Sequence, residues 1–142
     1  MRQRPDLRDV DCVWLGCDRD GHVAAFVTGG SGPVPDAVLD LEEPRVEELE
    51  ELVCGLPRTS AARLLVSVKR PDSFVEMAER GFFVYDWTDV HRTAREVLNE
   101  YEPVALPVNP VGVDQLPARL AKACGCVRFA GVSFGGSISG PK

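Results

Sequence analysis

Ser133 lies in Gly131-Val132-Ser133-Phe134-Gly135, the G-x-S-x-G spacing that holds a hydrolase nucleophile on a sharp turn between a strand and a helix. Such a serine needs a histidine to take its proton, and in that arrangement the acid and the histidine follow the serine. Here His22 and His91 both precede it, and glycine and serine follow it where a helix is needed. The match reads as chance in a glycine-rich tail. Cysteine chemistry fares no better. Cys12, Cys17, Cys54, Cys124 and Cys126 are odd in number and fit no small disulfide scaffold. Cys124-Gly125-Cys126, imagined with Cys12, Cys17 and His22 as a zinc site, is tighter than the usual C-x₂₋₄-C ligand pair. No local signature pairs a cysteine nucleophile with either histidine. The expectation is free thiols, mostly buried, with no catalytic residue, metal or cofactor. Asp18-Arg19-Asp20-Gly21 starts like a calcium loop, but the sixth and twelfth places, which need glycine and glutamate, hold Val23 and Gly29. Gly29 to Pro35 lacks a phosphate-binding glycine pattern, and Pro33 removes an N–H that a phosphate would use.

Binding chemistry has more to work with. The run Glu43-Pro44-Arg45-Val46-Glu47-Glu48-Leu49-Glu50-Glu51-Leu52-Val53-Cys54-Gly55 has helical spacing, with Pro44 suited to the first helical position and Gly55 to the exit. Val46, Leu49 and Val53 share one face, and Glu47, Glu48, Glu50 and Glu51 crowd the rest. Farther on, Asp86-Trp87-Thr88-Asp89 with His91 is the densest polar-aromatic cluster. It reads either as an exposed tryptophan among acids, a protein-binding hot spot, or as a core tryptophan at a strand end. The candidate partner-binding residues are Glu47, Glu48, Glu50, Glu51, Asp86, Trp87 and Asp89.

The elements that must hold these groups begin with a hairpin over about 12–28. Alternation puts Val13, Leu15 and Cys17 on one face and Trp14 on the other, then Val23, Ala25 and Val27 against Phe26. Asp20-Gly21 between the runs is a strong turn signal. Ala62 to Val68 reads as a strand with Leu64, Val66 and Val68 on one face. A helix follows with Ser73 and Glu76 at capping-box spacing, or Asp72 as its cap instead, Phe74, Met77 and Ala78 as its apolar side, and Gly81 at its end. Phe82 to Tyr85 is the next strand. Val90 to Tyr101 reads as helix or as irregular chain. Val104, Leu106 and Val108 mark a strand that Pro103 and Pro107 assign to an edge. Asp114 to Gly125 forms a last helix carrying Leu116, Leu120 and Cys124, and Val127 to Ala130 a short strand. Gly131 to Lys142 reads as a loose tail.

These elements specify an α+β domain spanning residues 1–142. Its antiparallel or mixed sheet has about five strands and starts with the N-terminal hairpin, and about three helices pack mainly on one face. With 142 residues, 44% hydrophobic and 27% charged, the chain suits one core. It holds no apolar run of the ~20 residues needed to cross a bilayer, and its polar start leads into no apolar signal segment, so a cytoplasmic protein is expected. The net charge of −6 argues against nucleic acid and anionic membranes as partners and suits a basic protein.

The pattern W-x-G-x-D-x-x-G-x-x-A-x-F-x-T-G-G-x-G-P-x-P, laid against Trp14 to Pro35, with G-F-F-V-Y-D-W-T-D-V-H from Gly81, Y-E-P-V-A-L-P from Tyr101 and D-Q-L-P from Asp114, resembles small bacterial immunity proteins of polymorphic toxin systems. The resemblance implies a non-enzymatic protein that neutralises a cognate toxin by binding it. A small enzyme using Cys or Ser chemistry, or an adaptor with no toxin partner, are the rival readings. An enzyme should show a concave pocket with convergent polar groups. A binder needs only a charged, aromatic-bearing surface.

Overall fold

A computed structural model describes residues 10–30, 32–66, 71–87, 100–135 and 138–139. The chain opens with β1 (Val13–Asp18) and β2 (Val23–Val27), antiparallel, with Trp14 opposite Phe26 and Cys17 opposite Val23. The turn between them is built on one carboxylate. Asp18 Oδ1 accepts the backbone N–H groups of Asp20 (2.9 Å) and His22 (3.0 Å), and Gly21 takes φ +82°, a conformation that suits glycine. A one-turn helix α1 (Asp36–Leu39) follows the glycine-proline exit, then a 3₁₀ turn (Val46–Glu48) running into α2 (Leu49–Cys54). Next come β3 (Ala62–Leu64), α3 (Asp72–Ala78), β4 (Phe83–Trp87) and β5 (Glu100–Pro107). The chain continues with α4 (Ala118–Gly125), β6 (Arg128–Phe129) and β7 (Ile138–Ser139).

The sheet is mixed, in the order β3-β5-β4-β2-β1-β6, with β7 paired to β5. β2 runs parallel to β4 and β1 parallel to β6, and the other pairs are antiparallel. The α+β class and the leading hairpin are as expected. Helix α2 packs against α3 and α4, and α2 and α4 lie over β1. Val46, Leu49 and Val53, the predicted inner face of the acidic helix, are all buried.

Alternation in the hairpin separates two layers. Val13, Leu15 and Cys17 face the helices, where Cys17 neighbours Cys124 of α4. The other face carries an aromatic layer. Trp14 stacks on Phe26 at 4.1 Å, Phe26 stacks on Tyr85 at 5.2 Å, and Tyr101 meets both Trp14 and Phe26 edge-on. Tyr101 also joins the layer to the glycine-proline exit: its hydroxyl accepts from Trp14 Nε1 (3.1 Å) and donates to Pro33 O (2.8 Å). A Cβ on Gly32 would collide with that hydroxyl, which is why glycine stands there.

Several expectations need correction. β5 is an interior strand, not an edge, because β4 and β3 flank it. Its prolines are tolerated by position: Pro103 lies opposite Tyr85, where the ladder shifts register, and Pro107 is the strand's last residue. The edge strand on this side of the sheet is β3. It is shorter than predicted and leaves Leu64 and Leu65 exposed. The predicted Ser73–Glu76 capping box on α3 is absent, because Glu76 instead bonds Arg80 and Arg58. Arg80 in turn caps the end of α2 through Cys54 O (2.7 Å) and Leu56 O (3.0 Å). Pro44 stands before the helical turn, with Arg45 in the N-cap position.

The tail is held down where it is described. Phe134 is buried against Phe26, Phe83, Tyr85 and Phe129. Its N–H donates to Asp18 Oδ2 (2.9 Å), and Gly135 N–H donates to the Tyr85 hydroxyl (2.7 Å). Tyr101 belongs to β5, while residues 90–99 of the ambiguous stretch, with Asp89, His91 and Val68, lie outside the described residues.

Candidate functional site

The acidic helix and the start of the hairpin meet at one end of the sheet. The register places Val13, Val27 and Asp86 in one row across β1, β2 and β4, a span of about 10 Å. Val46, at the start of the 3₁₀ turn, packs beside this end and brings its glutamates with it. A shallow groove of about 160 Å³ opens there, lined by Val10, Asp11, Cys12, Val13, Val46, Glu47 and Glu50. Its lining combines apolar side chains with three carboxylates. Partial burial against the groove, then the charge on Asp11, pushes the Glu50 carboxyl up although the residue as a whole is exposed. Asp11 is itself fixed at the rim, its Oδ1 accepting the N–H of Gly29 at 3.0 Å.

The predicted binding residues divide. Glu47, Glu50 and Glu51 are exposed on the helical turn, and Glu47 and Glu50 line the groove. Glu48 has a structural partner set: it accepts the backbone N–H of Arg45 at 3.2 Å and Arg119 Nη2 at 3.0 Å. The Arg45 N–H, then Arg119, holds its carboxyl below the ordinary range. Arg119 also bonds Glu43, so this clamp ties the start of α2 to α4. Asp86 stands half-buried at the groove's end of the sheet. Trp87 is 7% exposed, with its ring centroid 5.1 Å from that of Tyr101, so it belongs to the core rather than to an exposed hot spot. Its Nε1 is the one buried side-chain polar atom without a partner among the described residues. Asp11 is the charged groove residue that sequence reasoning missed. Its signal was its position directly before the buried run that begins at Cys12, two residues ahead of β1, where an acid must reach the surface at the strand's end.

A second polar cluster surrounds the hairpin turn. Asp18, Asp20 and His22 each bring a ligand-type atom within 4.8 Å of the others. Both oxygens of the buried Asp18 carboxylate accept backbone N–H groups, from Asp20, His22 and Phe134. Ser133 Oγ donates its proton to Asp20 Oδ2 (2.9 Å) and accepts from Arg19 Nε (3.1 Å). These contacts pin the tail to the turn. The thiols share one electrostatic trend: burial is the leading effect at Cys12, Cys17, Cys54, Cys124 and Cys126, and it pushes each of them up. No helix among the described residues is long and apolar enough to cross a membrane. Comparison with protein-family models, curated proteins and solved structures gives no match.

Proposed function

We propose that this protein is a non-enzymatic binding protein that neutralises a basic partner, as the immunity proteins it resembles neutralise toxins. The observation that carries this reading is the acidic end of the sheet. There, Asp11, Glu47 and Glu50 line one groove, and Asp86 stands about 10 Å along the same row of the sheet, on a molecule of net charge −6. A surface of this sign speeds encounter with a positive partner and disfavours negative ones. Glu51 extends the surface along α2, and Glu48 supports it from below through Arg119. Asp89 stays in the proposed contact set on its sequence position alone.

The rival enzyme reading draws less support. A cysteine nucleophile works as the thiolate, and burial favours the thiol at all five cysteines. A serine nucleophile needs a base strong enough to take its proton, whereas the Ser133 hydroxyl donates a hydrogen bond to the weakly basic Asp20 carboxylate and accepts one from Arg19, within a contact that anchors the tail. An adaptor would present the same surface, so partner identity separates that reading from immunity. Co-expression with the product of the adjacent reading frame tests it. Rescue of growth together with co-purification is the expected result, and neither effect with a well-folded chain would overturn the proposal.

A further inference from the structure

We infer that the free edge of β3 takes an extended segment of a partner protein as an added strand, with an acidic side chain of that segment beside Arg63. This edge closes the sheet on the side away from β1 and the acidic groove, so the inference stands apart from the reading proposed for that groove.

Backbone direction along β3 defines the edge. Leu65 N–H donates to Val104 O (2.8 Å), and Val108 N–H donates to Ala61 O (2.9 Å). Ala61, Arg63 and Leu65 therefore turn their backbone groups toward β5. Ala62 and Leu64 turn theirs away from the sheet, where they have no partner among the described residues. Upstream the edge is closed, because the N–H groups of Thr59 and Ser60 donate to Glu79 O (2.9 and 3.0 Å). The groups left open are those that an added strand bonds. The side chains around them agree. Leu64, Leu65 and Val108 are three of the four large apolar residues exposed among the described residues, and all three stand at this edge or just past the neighbouring end of β5. Arg63 decides the occupant. It is exposed and has no hydrogen bond or ion pair from its side chain among the described residues. A second copy that used both outward residues would pair Ala62 with Leu64 across a twofold axis and set Arg63 opposite its own equivalent, a destabilising pair of like charges. A charge on an edge strand commonly guards it against such pairing. A foreign strand with Asp or Glu at that place turns the repulsion into attraction, and its flanking residues lie beside Leu64 and Leu65.

The test uses the full chain, isotope-labelled, titrated with three peptides: acetyl-Thr-Val-Glu-Val-Thr-amide, its counterpart with lysine for glutamate, and the glutamate peptide N-methylated at both valines. Amide shifts should concentrate at Ala62 to Val66 with the glutamate peptide. Affinity should fall by about threefold or more with the lysine peptide, and the response should vanish with the methylated one. Arg63→Glu should reverse the preference between the first two peptides. Leu64→Pro removes an outward N–H that the fold does not use, so it should leave the melting temperature nearly unchanged and abolish the response. Absence of a response to the glutamate peptide would overturn the inference. So would equal affinity for the lysine peptide, an equal response to the methylated one, or no reversal in the Arg63→Glu chain. Concentration-dependent dimers of the chain alone that Leu64→Pro abolishes would give the edge to a second copy and overturn it as well.

Discussion

Glu50 and Glu76 carry opposite pH signatures. Burial and Asp11 raise the Glu50 carboxyl, so its ionised form is less favoured in the folded chain than in the unfolded one. The stability that protonated Glu50 contributes is present below the ordinary carboxylate range and is lost as pH rises through that range to the folded value. Glu50→Gln should therefore raise the melting temperature slightly at pH 7 and make no difference in acid. Glu76 is lowered, first by its bond to Arg80, and its contribution is present above the ordinary range and lost as pH falls through the folded value. Glu76→Gln should lower the melting temperature at pH 7, with the difference closing in acid. Melting curves of both variants at several pH values check the two signs together, and a shared sign would contradict the assignment. Trp87→Ala should cost about 3–5 kcal/mol of stability, because the ring is buried against Tyr101. Chemical denaturation measures it, and a loss below about 1 kcal/mol would return Trp87 to the surface. The environment of Trp87 was not legible from its neighbours: Asp86 and Asp89 suggested solvent, whereas strand alternation aligns Trp87 with Tyr85 and Phe83 on the aromatic face. The glutamates of α2 were legible, because helical spacing alone separates them from Val46, Leu49 and Val53.

The tail and the proline-bearing strand show how tertiary partners override local signals. Gly131 to Gly135 looks loose by composition, yet Phe134 fills the aromatic layer, and the buried Asp18 carboxylate takes its N–H. That contact joins residues far apart in the chain, which no local pattern reveals. Truncation after Ala130 removes one buried aromatic and the bonds to Asp18, Asp20 and Tyr85. It should destabilise the chain by about 3 kcal/mol or more, read as a melting temperature lower by roughly 10 °C. An unchanged melting temperature would mean that the tail contributes nothing. The prolines of β5 marked an edge by rule, but a register shift and a strand end gave them places inside the sheet. The hairpin was legible in full, since alternation, Asp-Gly chemistry and length all agree there.

At the scale of the molecule, the helices cover one face of the sheet, aromatic rings cover the other, and one end collects negative charge. The five thiols sit within or against this core, so all of them should titrate as free thiols in denatured, unreduced protein; fewer would reveal a bridge. Composition conveyed the sign of the charge, but only the register of β1, β2 and β4 brings Asp11 and Asp86 to the end of the sheet where the 3₁₀ turn and α2 place Glu47 and Glu50. The central claim is that this end meets a basic protein. Its most direct test is the association rate between the full chain and the product of the adjacent reading frame, measured at two salt concentrations for the native protein and for Glu47→Lys with Glu50→Lys. The expected result is association slowed by about tenfold in the double variant at low salt, with a weaker salt dependence and little change in dissociation. Association that ignores both the salt and the charge reversals would contradict it.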